Sequence, residues 1–246
     1  MMTANDIRTL FVEEYNNKNF VQDRSGQNMI EVLGASFIAD EPAIFGTPNE
    51  EYIKAELDWY ESESTNINDI YGDGREPPAA WKATANVHGE INSNYGYLVF
   101  SDKFNNQFTQ VVNELTENPS SRRASMIYTR PSIWVDYNDN GKNDFICTNA
   151  VTYYIRDNQL HCVVQMRSND VWAGYRNDYA WQRHLLECVC DRYLDLNMFA
   201  DLNPGNIYWQ VQNLHMYERN FYMLDHFIKT AEFNITKKDY DILYNI

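Results

Sequence analysis

Basic residues are scarce in this 246-residue chain: 20 Lys+Arg stand against 35 Asp+Glu, a formal net charge of −15. That balance repels a duplex at long range and excludes sequence-independent nucleic-acid binding as a general activity. It leaves room for a small anion held by a few local arginines. Long apolar runs are also lacking. No stretch approaches the ~18 residues of a membrane span, so no membrane association is expected. Residues 1–15, which mix Asp6, Arg8, Glu13 and Glu14 with apolar side chains, do not resemble a secretion signal. A cytoplasmic location is expected. Cysteine is limited to Cys147, Cys162, Cys188 and Cys190, expected as free thiols rather than a disulfide framework. Repeats, low-complexity tracts and Pro/Gly/Ser linkers are absent, and a single domain over residues 1–246 is expected.

Aromatic residues are plentiful: they make up 15% of the chain, including 18 Tyr and 6 Trp, within an apolar share of 44%. Such a chain can bury a core, which excludes global disorder. Residues 4–16 read as an amphipathic helix with Ile7, Leu10, Phe11 and Tyr15 on one face. Asp23-Arg24-Ser25-Gly26 reads as a turn before a strand through Met29, Ile30, Val32 and Leu33. Helices are expected over 50–60, with Tyr52, Ile53, Leu57 and Tyr60 at helical spacing, and over about 104–115. Residues 126–135, 145–156 and 159–166 are rich in β-branched and aromatic side chains and read as strands. A long helix at 178–195, a strand at 207–215 and a helix at 216–230 follow. Strands and helices mix without steady βαβ alternation, which favours an α+β fold.

Several constellations bear chemistry, each with an ordinary alternative. Arg122-Arg123, after a turn at 118–121, suits a phosphate or carboxylate because guanidinium donates in bidentate fashion; a solvated pair balancing nearby acids is the alternative. Arg167-Ser168-Asn169-Asp170 follows a strand, where loops carry function, but is equally an ordinary polar loop. Cys147, among Phe145, Ile146, Thr148 and Asn149, is either a small core residue or a nucleophile that needs cationic neighbours to lower its pKa. Asp136 to Gly141 matches half of a calcium loop, but position twelve is Cys147 instead of Glu, and a turn is the better reading. His184, Cys188 and Cys190 suggest a metal site, yet 188 and 190 lie on different faces of a helix. No metal is expected.

Together these pieces resemble the thymidylate synthase superfamily. The resemblance rests on Glu56-Leu57-Asp58-Trp59, Ser64 to Ile67, Asn94-Tyr95-Gly96, Ser121-Arg122-Arg123, Cys147, Arg167 to Asp170, Gly174 through Asp178 and His215-Met216-Tyr217. It is closer to one branch, the deoxycytidylate hydroxymethylases of T-even phages, through Ala35 to Pro42, Gly89 to Gly96, Met126 to Ser132 and Arg176 to Trp181. It covers essentially the whole chain. The implied fold is a large mixed β-sheet with packed helices, forming a homodimer through the sheet face. The implied activity transfers a one-carbon unit from 5,10-methylenetetrahydrofolate to carbon 5 of dCMP and adds water. By resemblance, Cys147 is the nucleophile that adds to carbon 6, and Glu56 is the acid/base carboxylate. Arg24, Arg167 and Ser168 are the phosphate ligands of one subunit, with Arg122 and Arg123 supplied by the other. His215 and Tyr217 hydrogen-bond the deoxyribose hydroxyl, while Trp81, Tyr95 and Asp170 line the folate side. Association with other phage nucleotide-synthesis enzymes in an infected cell is also implied.

Base choice turns on Asp178, four residues after Gly174, where thymidylate synthases use Asn. Cytosine presents an amino donor and an unprotonated ring nitrogen. A carboxylate accepts from the first and, sharing one proton, satisfies both. Facing uracil it would set oxygen against oxygen, at the cost of unpaired buried groups. Some positions depart from the synthase pattern: Ile146 and Thr148 flank the nucleophile in place of Pro and His, and Thr152 replaces a common Gln. The ending through Lys237-Lys238-Asp239-Tyr240 is more polar than a synthase tail. Two alternatives stand beside the dCMP reading: a thymidylate synthase or dUMP hydroxymethylase, and a nucleotide- or RNA-binding protein of this fold without catalysis.

Overall fold

The computed structural model describes residues 1–24, 26–197 and 200–246. Along the chain run α1 (Ala4–Asn16), β1 (Val21–Gln22), β2 (Asn28–Ile38), α2 (Glu50–Glu61), α3 (Ala79–Thr84), α4 (Tyr95–Phe100) and α5 (Gln107–Glu117). Then come β3 (Ser125–Ile127), α6 (Ile133–Asp136), β4 (Thr148–Arg156), β5 (Gln159–Met166), β6 (Asn169–Asp170) and α7 (Ala173–Leu196). The last elements are β7 (Asn203–Tyr217), α8 (Phe221–Thr230) and α9 (Lys237–Tyr244). Two compact units divide them: Met1–Pro48, Met166–Arg183 and Asn206–Ile246 form one, Asn49–Gln165 and His184–Gly205 the other. Among the described residues no helix is long and apolar enough to cross a membrane.

The first unit is built on β2 and β7, antiparallel with Glu31 opposite His215 and Met29 opposite Tyr217. β6 runs parallel to β7, pairing Asp170 with His215, so the sheet is mixed. Helix α1 starts on a capping box in which Thr3 and Asp6 satisfy each other's backbone N–H groups. The Ala35–Pro42 motif serves this helix. Asp40 accepts from the Ala4 N–H at 2.9 Å, and Glu41 takes a two-pronged bond from Arg8 at 2.9 and 2.7 Å. Arg8 is only 2% exposed, and further donation to the Ile44 and Ala43 carbonyls completes its pairing. A buried guanidinium is tolerable only when its donors are satisfied in this way.

The second unit carries β3, β4 and β5 in that order and packs α2 against α4. Gly96 is required there: an added Cβ would lie 1.7 Å from the Tyr60 carbonyl oxygen. Asn94 caps α4 by accepting from the Tyr97 N–H and donates to the carbonyls of Trp59 and Ser64. The Asn94-Tyr95-Gly96 motif thus holds two helices in register.

Several expected elements differ. The strand over 126–135 ends at Ile127, because Pro131 cannot extend a ladder and residues 133–136 coil into α6. Asp136, first residue of the apparent calcium loop, accepts from Arg130 and Ser132 instead, and residues 139–141 form a 3-10 turn. The strand expected from 145 begins at Thr148, leaving Cys147 in a bend just ahead of β4. The last long helix starts at Phe221, not Met216, because Met216 and Tyr217 still pair with Ile30 and Met29. Helices α3, α4 and α9 have no counterpart in the periodicity; all are short.

Candidate active site

On α2 the buried face is centred on Glu56, Trp59 and Tyr60, so a carboxylate occupies ground that helical spacing reserves for apolar side chains. Glu56 is 5% exposed. Its Oε1 accepts from the Tyr52 hydroxyl at 2.5 Å and from the Trp81 indole N–H at 3.1 Å. The same indole N–H lies 2.9 Å from the Tyr52 oxygen. Burial raises the Glu56 pKa to about 7 despite both donors, which pull it down. The Tyr52 hydroxyl is pushed far above its usual range by burial and then by the Glu56 charge, so it remains a donor. A carboxyl poised near neutrality both gives and takes protons at working pH.

Trp81 and Tyr95, both expected on the folate side, belong to one run of aromatic contacts. Trp81 meets Trp59 edge-on at 5.1 Å, Trp59 stacks on Tyr60, and Tyr60 stacks on Tyr95 at 5.5 Å. Trp81 is half-buried, whereas Tyr95 is buried. Cys147 is a half-buried free thiol, with Sγ 3.8 Å from the Phe145 carbonyl. Arg122 and Arg123 lie exposed between α5 and β3. Arg123 pairs through Nε with Glu114 at 3.0 Å, and Ser121 donates to the same carboxylate at 2.6 Å.

In the first unit, the Asn169 amide donates to Asp178 Oδ2 at 2.7 Å. Its carbonyl oxygen accepts from the Trp209 indole at 3.3 Å. Asp170 caps α7, with Oδ2 accepting from the Ala173 and Gly174 N–H groups at 2.9 and 3.2 Å. Its other oxygen is buried without a partner among the described residues. His215 is buried, and burial lowers its pKa, with Arg219 adding to the effect while Asp170, a backbone hydrogen bond with Asn213 and Glu31 oppose it. A neutral ring results, suited to a hydroxyl. Its Nδ1 has no partner among the described residues, and its ring meets Tyr217 edge-on at 5.0 Å. Arg167 and Ser168 are half-buried between β5 and β6, and Arg24 is exposed in the β1–β2 turn.

The structure thus joins Glu56 to Trp81, and groups Asp170, His215 and Tyr217 along β6 and β7. Tyr52 and Asn169 carry no role from sequence. Tyr52 stands one helical turn before Glu56, a spacing that signals contact once Glu56 is known to be buried. Asn169 lies inside the Arg167–Asp170 motif, but its bond to Asp178 spans nine positions and has no local signal. The apparent metal set resolves differently: His184 bonds Glu61 at 2.8 Å with Cys188 at 3.5 Å, while Cys190 faces the Leu202 carbonyl. Among the described residues no group of three or more His, Cys, Asp or Glu is placed to hold a metal.

Comparison with known proteins bears on the family and the fold. The family described as thymidylate synthase matches residues 16–241. A deoxycytidylate 5-hydroxymethyltransferase of Enterobacteria phage T4 is 48% identical over 239 residues, covering 97% of this chain and 96% of the relative. That of phage T6 is 48% identical over 242 residues, with 97% and 96% covered. A thymidylate synthase of Fusobacterium nucleatum is 27% identical over 146 residues, 57% of this chain and 48% of the relative. Among solved structures, the thymidylate synthase of T4 phage superposes with a TM-score of 0.71 at 19% identity, covering 94% of this chain and 81% of that one. The fold is that of thymidylate synthase.

Proposed function

This chain belongs to the thymidylate synthase family, and within it we propose that it is a deoxycytidylate 5-hydroxymethyltransferase. The observation that carries the base choice is Asp178, a carboxylate where synthases present an amide, with Oδ2 held by the Asn169 amide. A carboxylate there accepts from the cytosine amine and disfavours uracil's carbonyl. The phage T4 and T6 relatives, 48% identical, bear the same name.

In this reading, the Cys147 thiolate adds to carbon 6 of dCMP and makes carbon 5 nucleophilic. The folate cosubstrate supplies a one-carbon unit at the formaldehyde level to carbon 5; loss of the carbon 5 proton and departure of tetrahydrofolate leave an exocyclic methylene there. The unpartnered Asp170 oxygen suits the donors of such a ligand and the half-buried Trp81 ring its flat face, with Tyr95 at the far end of the aromatic run from Trp81. In the last step, water oxygen bonds to the exocyclic methylene and its proton passes to Glu56. The displaced electron pair moves through the ring and expels the Cys147 thiolate. Arg24, Arg167 and Ser168 bind the phosphate with Arg122 and Arg123 of a second subunit, and those cations favour the thiolate. His215 and Tyr217 take the deoxyribose hydroxyl. The protein acts as a homodimer in the cytoplasm of an infected cell, beside other enzymes that make nucleotides.

Product mass tests the assignment. Incubation with methylenetetrahydrofolate and dCMP is expected to yield a nucleotide heavier by CH₂O, with no dihydrofolate absorbance. Dihydrofolate formation would favour a synthase instead. A product from dUMP but not from dCMP would overturn the base choice.

A further inference from the structure

The Tyr52–Glu56–Trp81 cluster fixes more than the burial of one carboxylate. Trp81 Nε1 is a donor only, and it reaches both the Tyr52 oxygen, at 2.9 Å, and Glu56 Oε1, at 3.1 Å. Because the Tyr52 oxygen already accepts from the indole, its own proton is directed at Glu56 Oε1, 2.5 Å away. That oxygen therefore faces two donors and has no reason to carry a proton. Oε2 accepts no hydrogen bond among the described residues. Whatever proton Glu56 gives or takes is consequently on Oε2.

We propose that Tyr52 is a positioning residue for the hydroxymethyl transfer: by donating to Oε1 it commits that oxygen to the protein and makes Oε2 the single acid/base oxygen of Glu56. The assignment rests on the proposed activity. Its chemical sense lies in the water-addition step, in which a proton leaves water as the oxygen bonds to the methylene carbon. A carboxylate free to rotate would offer either oxygen to that water. One held through Oε1 offers one oxygen at one orientation, which is the preorganisation that general base catalysis needs. The groups that bear on Glu56 are few. Tyr52 lies on its own helix and Trp81 on α3, while Tyr71 acts on Tyr52 through an edge contact at 6.3 Å. The charged pair Lys54–Asp58 on α2 is exposed.

The test is Tyr52→Phe, which removes one hydroxyl and keeps the ring. Turnover of dCMP is expected to fall about tenfold, with KM for dCMP unchanged within about twofold. Loss of a donor to the carboxylate also moves the pH midpoint of kcat upward from near 7. In a Glu56→Gln background the same substitution is expected to add no further loss. An unchanged kcat and pH profile, or an equal loss in the Glu56→Gln background, would overturn the proposal, since a purely structural tyrosine gives the latter. If Tyr52→Phe does not fold, 3-fluorotyrosine at position 52 keeps the ring and the hydroxyl but makes it a stronger donor to Oε1, and is expected to move the midpoint downward; no movement would again overturn the proposal. Wild-type product mass separates the two readings. An inactive wild type sinks the activity itself, whereas an active wild type with unmoved variants sinks only the assignment of Tyr52.

Discussion

The Asn169 amide donates to Asp178 Oδ2 at 2.7 Å, across a nine-residue separation that brings the start of β6 against the second turn of α7. The amide cannot flip without loss, because its carbonyl oxygen accepts from the Trp209 indole, which only donates. Asp178 is therefore presented in one orientation. Asp178→Asn is expected to raise the kcat/KM ratio of dUMP to dCMP by at least about tenfold. Asn169→Asp, nearly isosteric, sets a second carboxylate against the first, so the pair must share a proton. Its preference for dCMP is expected to drop about tenfold. An unaltered ratio in both variants would remove the pair from base recognition.

Subunit mixing examines Cys147 and the exposed arginines together. Cys147→Ser alone is expected to lose at least about a thousandfold in kcat while binding dCMP normally. The double variant Arg122→Ala/Arg123→Ala is expected to raise KM steeply. In the proposed homodimer, mixing the two as equal subunits makes half of the dimers hybrids with one intact site each. About a quarter of wild-type activity returns if the arginines act across the dimer. No recovery would place them in their own subunit's site or outside it.

The raised Glu56 pKa makes a stability prediction with a definite sign. Unfolded, the carboxyl titrates near 4.5; folded, it titrates at about 7. Between those values the folded state holds the extra proton, so this group's favourable contribution is complete below pH 4.5 and is lost as pH rises through 7. Glu56→Gln carries no such titration. Its melting temperature relative to wild type is expected to rise from pH 4.5 to 8, by an amount on the order of 3 kcal/mol in stability. A constant difference across that range would show that Glu56 is not desolvated.

Packing gives the fourth prediction. Gly96→Ala places a methyl group 1.7 Å from the Tyr60 carbonyl oxygen, a backbone atom that cannot move without parting α2 from α4. A destabilisation of more than about 3 kcal/mol is expected, read as a lowered melting temperature. Wild-type stability in this variant would mean that the two helices sit farther apart.

Much of the fold follows from local pattern: α1, α2, α5 and β5 lie close to where periodicity puts them, and α7 begins five residues earlier, because the helices carry apolar residues at helical spacing and β5 buries every second side chain. Helices of six residues, such as α3 and α4, show no such stripe, and Pro131 cuts β3 to three residues inside a run of strand-forming side chains. Motif residues also served the fold in ways their types do not reveal. Glu41 neutralises Arg8, Asn94 ties together two helices, and Asp170 caps α7.

By itself the sequence determined the family and pointed to Cys147 as the nucleophile candidate, to the arginine set and to the carboxylate at 178, since those readings depend on residue type and order. Only the tertiary structure decided that Glu56 is buried and titrates near neutrality, that Tyr52 and Trp81 claim one of its oxygens, and that Asn169 orients Asp178. The reason is physical. A side chain's chemistry is written in its formula, but its proton affinity and direction are set by water excluded and partners supplied, and Trp81 stands 25 residues from Glu56 in the chain.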